Sequence, residues 1–192
     1  MSSVSNLRRS QILEVALTAF STSGYHNTSM NDIAEAAGVT KPVVYQHYES
    51  KRALFLAIID HVGDRMIEVL TAATSGLTDG QAQVEAGMIA FFKWVERDRN
   101  AFKFLFDSGT QNDEEFTIAI RKVLDRSAEA IAPLIAIDLD PIHVRTLAHG
   151  VAGASEGVAR FLINNNTAFN GEQIGKQIAN LVWAGLRGVG SE

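Results

Sequence analysis

The sequence predicts an all-α protein of about nine helices, arranged as an N-terminal three-helix helix-turn-helix domain and a larger C-terminal helical bundle. Apolar residues recur at spacings of three and four along most of the chain, as in helices with one buried face. Only three prolines occur, and none lies between Pro42 and Pro133, so long helices meet no interruption there. No segment of useful length alternates apolar and polar residues in the manner of a strand.

Four helices are predicted in the N-terminal third, each bounded by residues that cap or stop helices. Their expected limits are 7–22, 29–37, about 41–48 and roughly 50–74. The expected caps and stops are Gly24, Thr28 or Ser29, Gly38, Thr40 and Ser50. Pro42 falls in the first turn of the third helix, where proline is tolerated because no hydrogen bond is lost.

The remaining helices are separated by runs of glycine, asparagine, aspartate and proline. Their expected limits are 81–97, 99–107, 113–134, 141–164 and 171–187. A domain boundary is predicted near the start of the fourth helix, which divides the chain into an N-terminal domain over 1–52 and a C-terminal domain over 53–192.

Composition excludes several classes of protein. The chain has 192 residues, of which 46% are apolar, enough to bury a sizeable core. The absence of cysteine excludes disulfides, thiol catalysis and cysteine-ligated metals. Without a long apolar run or a signal-peptide pattern, the expectation is a cytoplasmic protein that does not enter a membrane.

The overall charge of −5 hides an uneven distribution. Residues 1–52 contain five Lys or Arg and four Asp or Glu, whereas the remainder is strongly acidic. A nearly neutral N-terminal part binds phosphate if its cations share one face.

Two short helices joined through a glycine-containing turn form a helix-turn-helix pattern. The first helix braces the second, which must present its N-terminal side chains to base edges in a major groove. Lys41 can donate to guanine, while Pro42 and Val43 can contact a thymine methyl group. Tyr45 and His47 carry donors that suit phosphate oxygens. The same pattern also occurs in helical domains that bind no nucleic acid.

Residues 24–59, GYHNTSMNDIAEAAGVTKPVVYQHYESKRALFLAII, closely resemble the N-terminal domain of the TetR family of transcriptional regulators. The resemblance implies a homodimer in which a fourth helix links a DNA-binding domain over 1–52 to a ligand-binding and dimerisation domain over 53–192. By position it implies that a double-stranded DNA operator is contacted by Thr28, Ser29, Asn31, Thr40, Lys41, Pro42, Val43, Tyr45, Gln46, His47 and Lys51. Base preference does not transfer, because many relatives have a small or polar residue where Pro42 stands.

The C-terminal part is rich in phenylalanine between residues 91 and 116, with Trp94 among the rings. Consecutive residues such as Phe91 and Phe92 cannot both face one core, so some of these rings must meet a second apolar environment. Cavities for apolar ligands have walls of this kind. A hydrophobic core alone is the plainer interpretation.

The segments 91–106, 150–162 and 183–186 are similar to the acyl-CoA-responsive regulators of fatty-acid synthesis in actinobacteria. This resemblance implies a long-chain acyl-CoA effector whose acyl tail occupies a tunnel beside the aromatic residues. The expected lining residues are Phe92, Val95, Phe102, Leu105, Phe106, Phe116, Val151 and Ser155.

Apolar residues also form stripes along the last two helices, beside a cluster of glycines near residues 150–157. In the TetR family these helices form the dimer interface, although packing within a monomer would give the same pattern. The expected interface residues are Val158, Ile178, Leu181 and Val182.

Enzymes fit the sequence poorly. It contains no paired histidines at metal-binding spacing, no nucleophile elbow and no phosphate-binding glycine loop. No cofactor or metal is therefore expected. The resulting hypothesis is a DNA-binding repressor of fatty-acid metabolism that an apolar effector releases from a palindromic operator. The alternative is a helical lipid-binding or carrier protein whose helix-turn-helix is merely structural.

Overall fold

The computed structural model describes residues 3–107, 113–135 and 139–189, and over these ranges the chain is all-α, as predicted. The helices are α1 (Ser3–Asn27), α2 (Met30–Ala36), α3 (Lys41–His47), α4 (Lys51–Thr74), α5 (Gly80–Arg97), α6 (Arg99–Asp107), α7 (Glu114–Ile131), α8 (Pro141–Asn164) and α9 (Gly171–Val189). A 3-10 turn over Ala132–Leu134 follows α7. No helix in these ranges is long and apolar enough to cross a membrane.

Most helices begin and end close to the predicted limits, and capping residues set these limits. Gly24 has φ 78° and interrupts the helical backbone of α1, although helical turns resume as far as Asn27. Ser29, rather than Thr28, caps α2. The helix predicted over 113–134 ends earlier as an α-helix, because Pro133 has no N–H to continue the hydrogen-bond ladder.

The chain forms two compact units. The N-terminal unit comprises Met1–Val62 and Asn100–Ile120, and the C-terminal unit comprises Gly63–Arg99 and Arg121–Glu192. The N-terminal unit thus contains α6 and the start of α7 besides the first three helices and half of α4. The predicted boundary at residue 52 separates functional domains, whereas the two units are defined by compactness. That boundary remains a prediction.

Aromatic rings form the core of the N-terminal unit. The ring of Phe55 on α4 lies 5.2 Å from that of Phe20, 4.6 Å from that of Phe104 and 4.5 Å from that of Phe116. Phe102 and Phe106 pair with each other instead, with ring centroids 4.6 Å apart. The three phenylalanines of α6 are all buried, and Phe104 packs in different surroundings from the other two.

In the C-terminal unit, α9 crosses α5 at very short range. A Cβ atom on Gly171 would lie 2.6 Å from the carbonyl oxygen of Phe92, and one on Gly175 would lie 2.5 Å from Cα of Ile89. Only glycine permits this approach of the two backbones. The amide of Gly171 also donates to the carboxylate of Glu96 at 2.9 Å, which satisfies a free N–H at the start of α9.

Candidate nucleic-acid interface

The turn between α2 and α3 is a tight glycine turn. Gly38 has φ 64°, a conformation that favours glycine. Its amide donates to the carbonyl of Glu35 at 3.0 Å, and that of Val39 donates to the carbonyl of Ala34 at 2.9 Å. Ala34 on α2 and Val44 on α3 are buried. The two short helices therefore form the helix-turn-helix that the sequence predicts.

The outer side of α3 carries the residues predicted to contact DNA. Thr40, Lys41, Pro42, Tyr45 and Gln46 are exposed. Val43 and His47 are half-buried, which leaves part of each side chain accessible. The hydroxyl of Thr40 makes no capping hydrogen bond. Tyr48, which follows α3, is buried and belongs to the core of this domain.

The N-terminus of α2 is closed by a capping box. The Ser29 hydroxyl accepts from the Asp32 amide at 3.2 Å, and the Asp32 carboxylate accepts from the Ser29 amide at 2.8 Å. The bond from the Ser29 amide to this carboxylate is the main cause that holds the pKa of Asp32 below its ordinary value. Ser29 and Asn31 remain exposed, so both are accessible to a phosphate group.

Thr28 differs from its neighbours, because it is buried rather than exposed. Its side chain is 3% exposed, and its hydroxyl donates to the carbonyl of Gly24 at 2.9 Å. This arrangement closes the turn between α1 and α2. The Thr28 hydroxyl thus bonds within the protein. Its buried position does not support the predicted contact of this side chain with DNA.

Lys51 binds the same turn from α4. Its ammonium donates to the carbonyls of Tyr25 at 2.8 Å and Thr28 at 3.0 Å. It also lies 4.3 Å from the centre of the Tyr25 ring, within range of a cation–π interaction. An ammonium has three N–H groups, so one is left beyond these two bonds.

A shallow cleft brings the residues of both short helices together. It is lined by His26, Asn27, Thr28, Ser29, Met30, Asn31, Lys41, Tyr45 and Lys51. Two cations and the start of α2 thus border one concave surface. Such a surface suits the phosphate backbone of nucleic acid.

Arg52 was not singled out by the sequence. It pairs with both carboxylate oxygens of Asp113, at 2.8 and 2.7 Å, and with Glu115, and it lies 4.7 Å from the centre of the Phe116 ring. Hydrogen bonds from Arg52 hold the pKa of Asp113 below its ordinary value. Asp113 also caps α7 by accepting from the amide of Phe116 at 3.3 Å. The acidic run at 113–115 is therefore an ion-paired helix start rather than simply a solvated one.

The residues predicted to line a ligand site are buried, and they divide between the units. Phe102, Leu105, Phe106 and Phe116 lie in the N-terminal unit, and Phe92, Val95, Val151 and Ser155 lie in the C-terminal unit. Ser155 is the one polar member of this set. Its hydroxyl donates to the Val151 carbonyl at 2.9 Å and lies 3.2 Å from the Met88 sulfur.

Part of the predicted dimer interface is exposed. Leu181 on α9 is 67% exposed, and Phe161 on α8, which was not among the predicted interface residues, is 64% exposed. Val158 and Ile178 are half-buried, and Val182 packs against a core cluster that includes Ala148 and Leu186. Gly150, Gly153 and Gly157 have open space where a side chain would project. The surfaces of α8 and α9 therefore combine small and apolar residues.

A helix-turn-helix with exposed polar residues on its second helix, followed by a helical bundle, is typical of a DNA-binding transcriptional regulator. The chain belongs to the TetR family of bacterial regulatory proteins, whose N-terminal family profile matches residues 12–58. A profile of the tetracyclin repressor-like C-terminal domain matches residues 81–185. In the described ranges, no group of three or more His, Asp or Glu residues could hold a metal ion.

Relatives of this chain include regulators of fatty-acid metabolism. It is 29% identical over 181 residues to the transcriptional activator FasR of Mycolicibacterium smegmatis, which covers 93% of this chain and 83% of that protein. The fold is similar to that of the fatty acid degradation regulator FadR of Bacillus halodurans, with 19% identity, a TM-score of 0.84, and coverage of 94% and 96% of the two chains. It is also similar to FadR of Bacillus subtilis in complex with stearoyl-CoA, with 16% identity, a TM-score of 0.79, and coverage of 91% and 97%.

Proposed function

We propose that this protein binds a palindromic operator as a homodimer and that a long-chain acyl-CoA releases it from the DNA. The exposed polar side of α3 carries the DNA-binding part of the proposal, since it offers Lys41, Tyr45 and Gln46 to a major groove. Two-fold symmetry of the dimer would place two such helices about one DNA turn apart.

Dimerisation is supported by the surfaces of α8 and α9. Leu181 and Phe161 are large apolar side chains that are mostly exposed, and burying them against a second chain would remove this apolar surface from water. Glycines at 150, 153 and 157 would let a second α8 approach closely. We infer that Val158, Ile178, Leu181 and Val182 line or border this interface.

The effector class is supported by the relatives and by the residue types of the expected lining. The Bacillus subtilis FadR structure contains stearoyl-CoA. Four of the expected lining residues lie together in the C-terminal unit, namely Phe92, Val95, Val151 and Ser155. All of these except Ser155 are apolar, and apolar walls suit an acyl tail. An effector acts only through different affinities for two states of the protein, so stearoyl-CoA must bind the DNA-free state more tightly.

The proposal is tested by selecting operators from random duplexes and measuring their affinity over a range of salt concentrations, with and without stearoyl-CoA. We expect a palindromic site, a steep decrease in affinity with salt, and weaker binding when stearoyl-CoA is present. A chain that binds stearoyl-CoA but no duplex would instead be a lipid carrier with a structural helix-turn-helix.

The sign of regulation is measured separately with a reporter gene downstream of the selected operator. We propose a repressor, so deletion of the regulator should raise transcription of the reporter. The Mycolicibacterium smegmatis relative is named an activator. A decrease in transcription on deletion would assign this chain the same sign as that relative.

A further inference from the structure

Trp94 on α5 is the most unusual buried polar residue in the C-terminal unit. Its side chain is 2% exposed, and its indole nitrogen Nε1 has no hydrogen-bond partner among the described residues. Its ring centroid lies 6.1 Å from that of Phe91, and the other buried residues of α5, Met88, Phe92 and Val95, are also apolar. A buried tryptophan normally finds an acceptor for this N–H group, because leaving it unpaired costs free energy.

Other buried polar side chains in this unit have partners. The hydroxyls of Thr74, Ser127 and Ser155 donate to backbone carbonyls of their own helices at 3.1, 2.9 and 2.9 Å. A tryptophan cannot do the same, since its N–H is too far from its own helix backbone. Phenylalanine at this position would fill most of the same volume without an unpaired donor. The N–H group therefore needs an explanation that packing does not supply.

We propose that the Trp94 N–H donates to the thioester carbonyl of a bound long-chain acyl-CoA. This inference rests on the effector class in the proposed function and adds the residue that recognises the polar junction between acyl tail and CoA. A ligand that enters these surroundings must be mainly apolar, yet it must bring one acceptor oxygen. The thioester carbonyl of an acyl-CoA provides this combination.

A single buried N–H group favours a neutral acceptor over a carboxylate. On α5, Lys93 pairs with Glu172 at 2.7 Å, and Asp98 pairs with Arg65 at 3.0 Å. These cations are already engaged with carboxylates. A single N–H would not offset the desolvation of a full negative charge, whereas it satisfies a carbonyl. A thioester is thus favoured over a free fatty acid.

The experiment compares stearoyl-CoA with S-octadecyl-CoA, a thioether of the same chain length that lacks the carbonyl oxygen. With the tryptophan nitrogens labelled with 15N, the chain gives two indole N–H resonances, from Trp94 and Trp183, which Trp94→Phe and Trp183→Phe assign. We expect stearoyl-CoA to move the Trp94 proton resonance downfield and S-octadecyl-CoA to leave it without that shift. Equal shifts with both ligands would overturn the inference.

Affinities give a second and independent readout. Trp94→Phe should weaken stearoyl-CoA binding about tenfold while leaving the affinity for S-octadecyl-CoA within about twofold. Trp183→Phe, the matched control, should change neither affinity. Equal affinities of wild-type and Trp94→Phe protein for stearoyl-CoA would overturn the role of Trp94 and leave the effector class standing. Failure of the wild-type chain to bind either ligand would overturn the effector class and this inference with it.

Discussion

The exposed surfaces of α3 and of the pair α8 and α9 differ in residue type. On α3 of the N-terminal unit they are mostly polar, with Lys41, Tyr45 and Gln46 directed to solvent. On α8 and α9 of the C-terminal unit they include large apolar side chains such as Phe161 and Leu181. Polar donors suit phosphates and base edges, whereas apolar surfaces suit another protein chain. Substitutions should therefore change DNA affinity in one unit and assembly or stability in the other.

The largest effect is expected from Leu181→Glu, which tests whether the apolar surface of the C-terminal unit joins two chains. A charge buried in an apolar interface is costly, so the variant should sediment as a monomer. Operator affinity should then fall about a hundredfold or more, because each monomer binds half a palindrome without the avidity of the pair.

Ile118→Glu is the matched control for Leu181→Glu. Ile118 is also an exposed apolar residue, 45% exposed, but it lies on α7 in the N-terminal unit. This variant should remain a dimer in sedimentation. A dimeric Leu181→Glu variant would show that α9 is not the interface and would remove the contrast between the two surfaces.

Gly175→Ala tests the tight packing of the C-terminal unit. The added methyl group would meet the α5 backbone at 2.5 Å, so we expect a loss of about 1–3 kcal/mol in the free energy of unfolding, measured with urea. Gly87→Ala is the control, because its methyl group would make an ordinary contact at 3.5 Å with Thr74. It should leave stability unchanged or raise it by up to about 1 kcal/mol through helix propensity. Equal effects of the two variants would mean that the α5–α9 crossing adjusts freely.

Lys41→Ala tests direct readout by α3. It should reduce discrimination at one base pair in each half-site by about 1–3 kcal/mol, measured with duplexes substituted one position at a time. Stability should stay the same, since Lys41 is exposed. A uniform loss of affinity for all sequences would make Lys41 a phosphate contact instead of a base contact.

Lys51→Ala should have the converse effect, weakening binding to every sequence. The third N–H of its ammonium is free of the two carbonyls that it binds, so it can reach a phosphate oxygen. Loss of this contact should flatten the slope of log affinity against log salt by about one unit. Lys103→Ala, an exposed lysine on α6, should leave the slope unchanged. Reduced stability with an unchanged slope would mean that Lys51 only holds the α1–α2 turn.

The smallest effect concerns Glu172 at the start of α9. Hydrogen bonds from Lys176 and Lys93 lower its pKa from the ordinary 4.5 to about 2. Because the folded pKa is the lower one, the stabilisation is present above pH 4.5 and is lost as pH falls toward 2. Glu172→Gln should remove this part of the pH dependence of unfolding. An identical profile for wild type and variant would show that the two ion pairs contribute nothing.

The helix-turn-helix could be predicted from the sequence because its determinants are local. Gly38 adopts the positive φ expected of a helix stop, and Ser29 and Ser50 cap α2 and α4 through hydrogen bonds to residues three positions away. The exposed side of α3 follows from helical spacing once Val44 is placed in the core. Such features depend on a few neighbouring residues and need no knowledge of tertiary structure.

Contacts between distant segments could not be predicted in this way. The pairing of Arg52 with Asp113 joins residues 61 positions apart, and the bond from Lys51 to Tyr25 joins residues 26 apart. The inward position of Thr28 depends on a turn whose closure needs α1. Without a partner segment to place them, charges and hydroxyls look like surface residues in a sequence.

The glycine crossing of α5 and α9 also restricts how the C-terminal unit can move. Sliding one helix by a single residue, a rise of about 1.5 Å, would carry Gly171 and Gly175 away from the backbone of α5 and bring side chains into their place. The two helices α5 and α9 must therefore move as one rigid body, because they cannot slide along each other. Any change of shape on effector binding has to use other degrees of freedom, such as rotation of α8 against this pair.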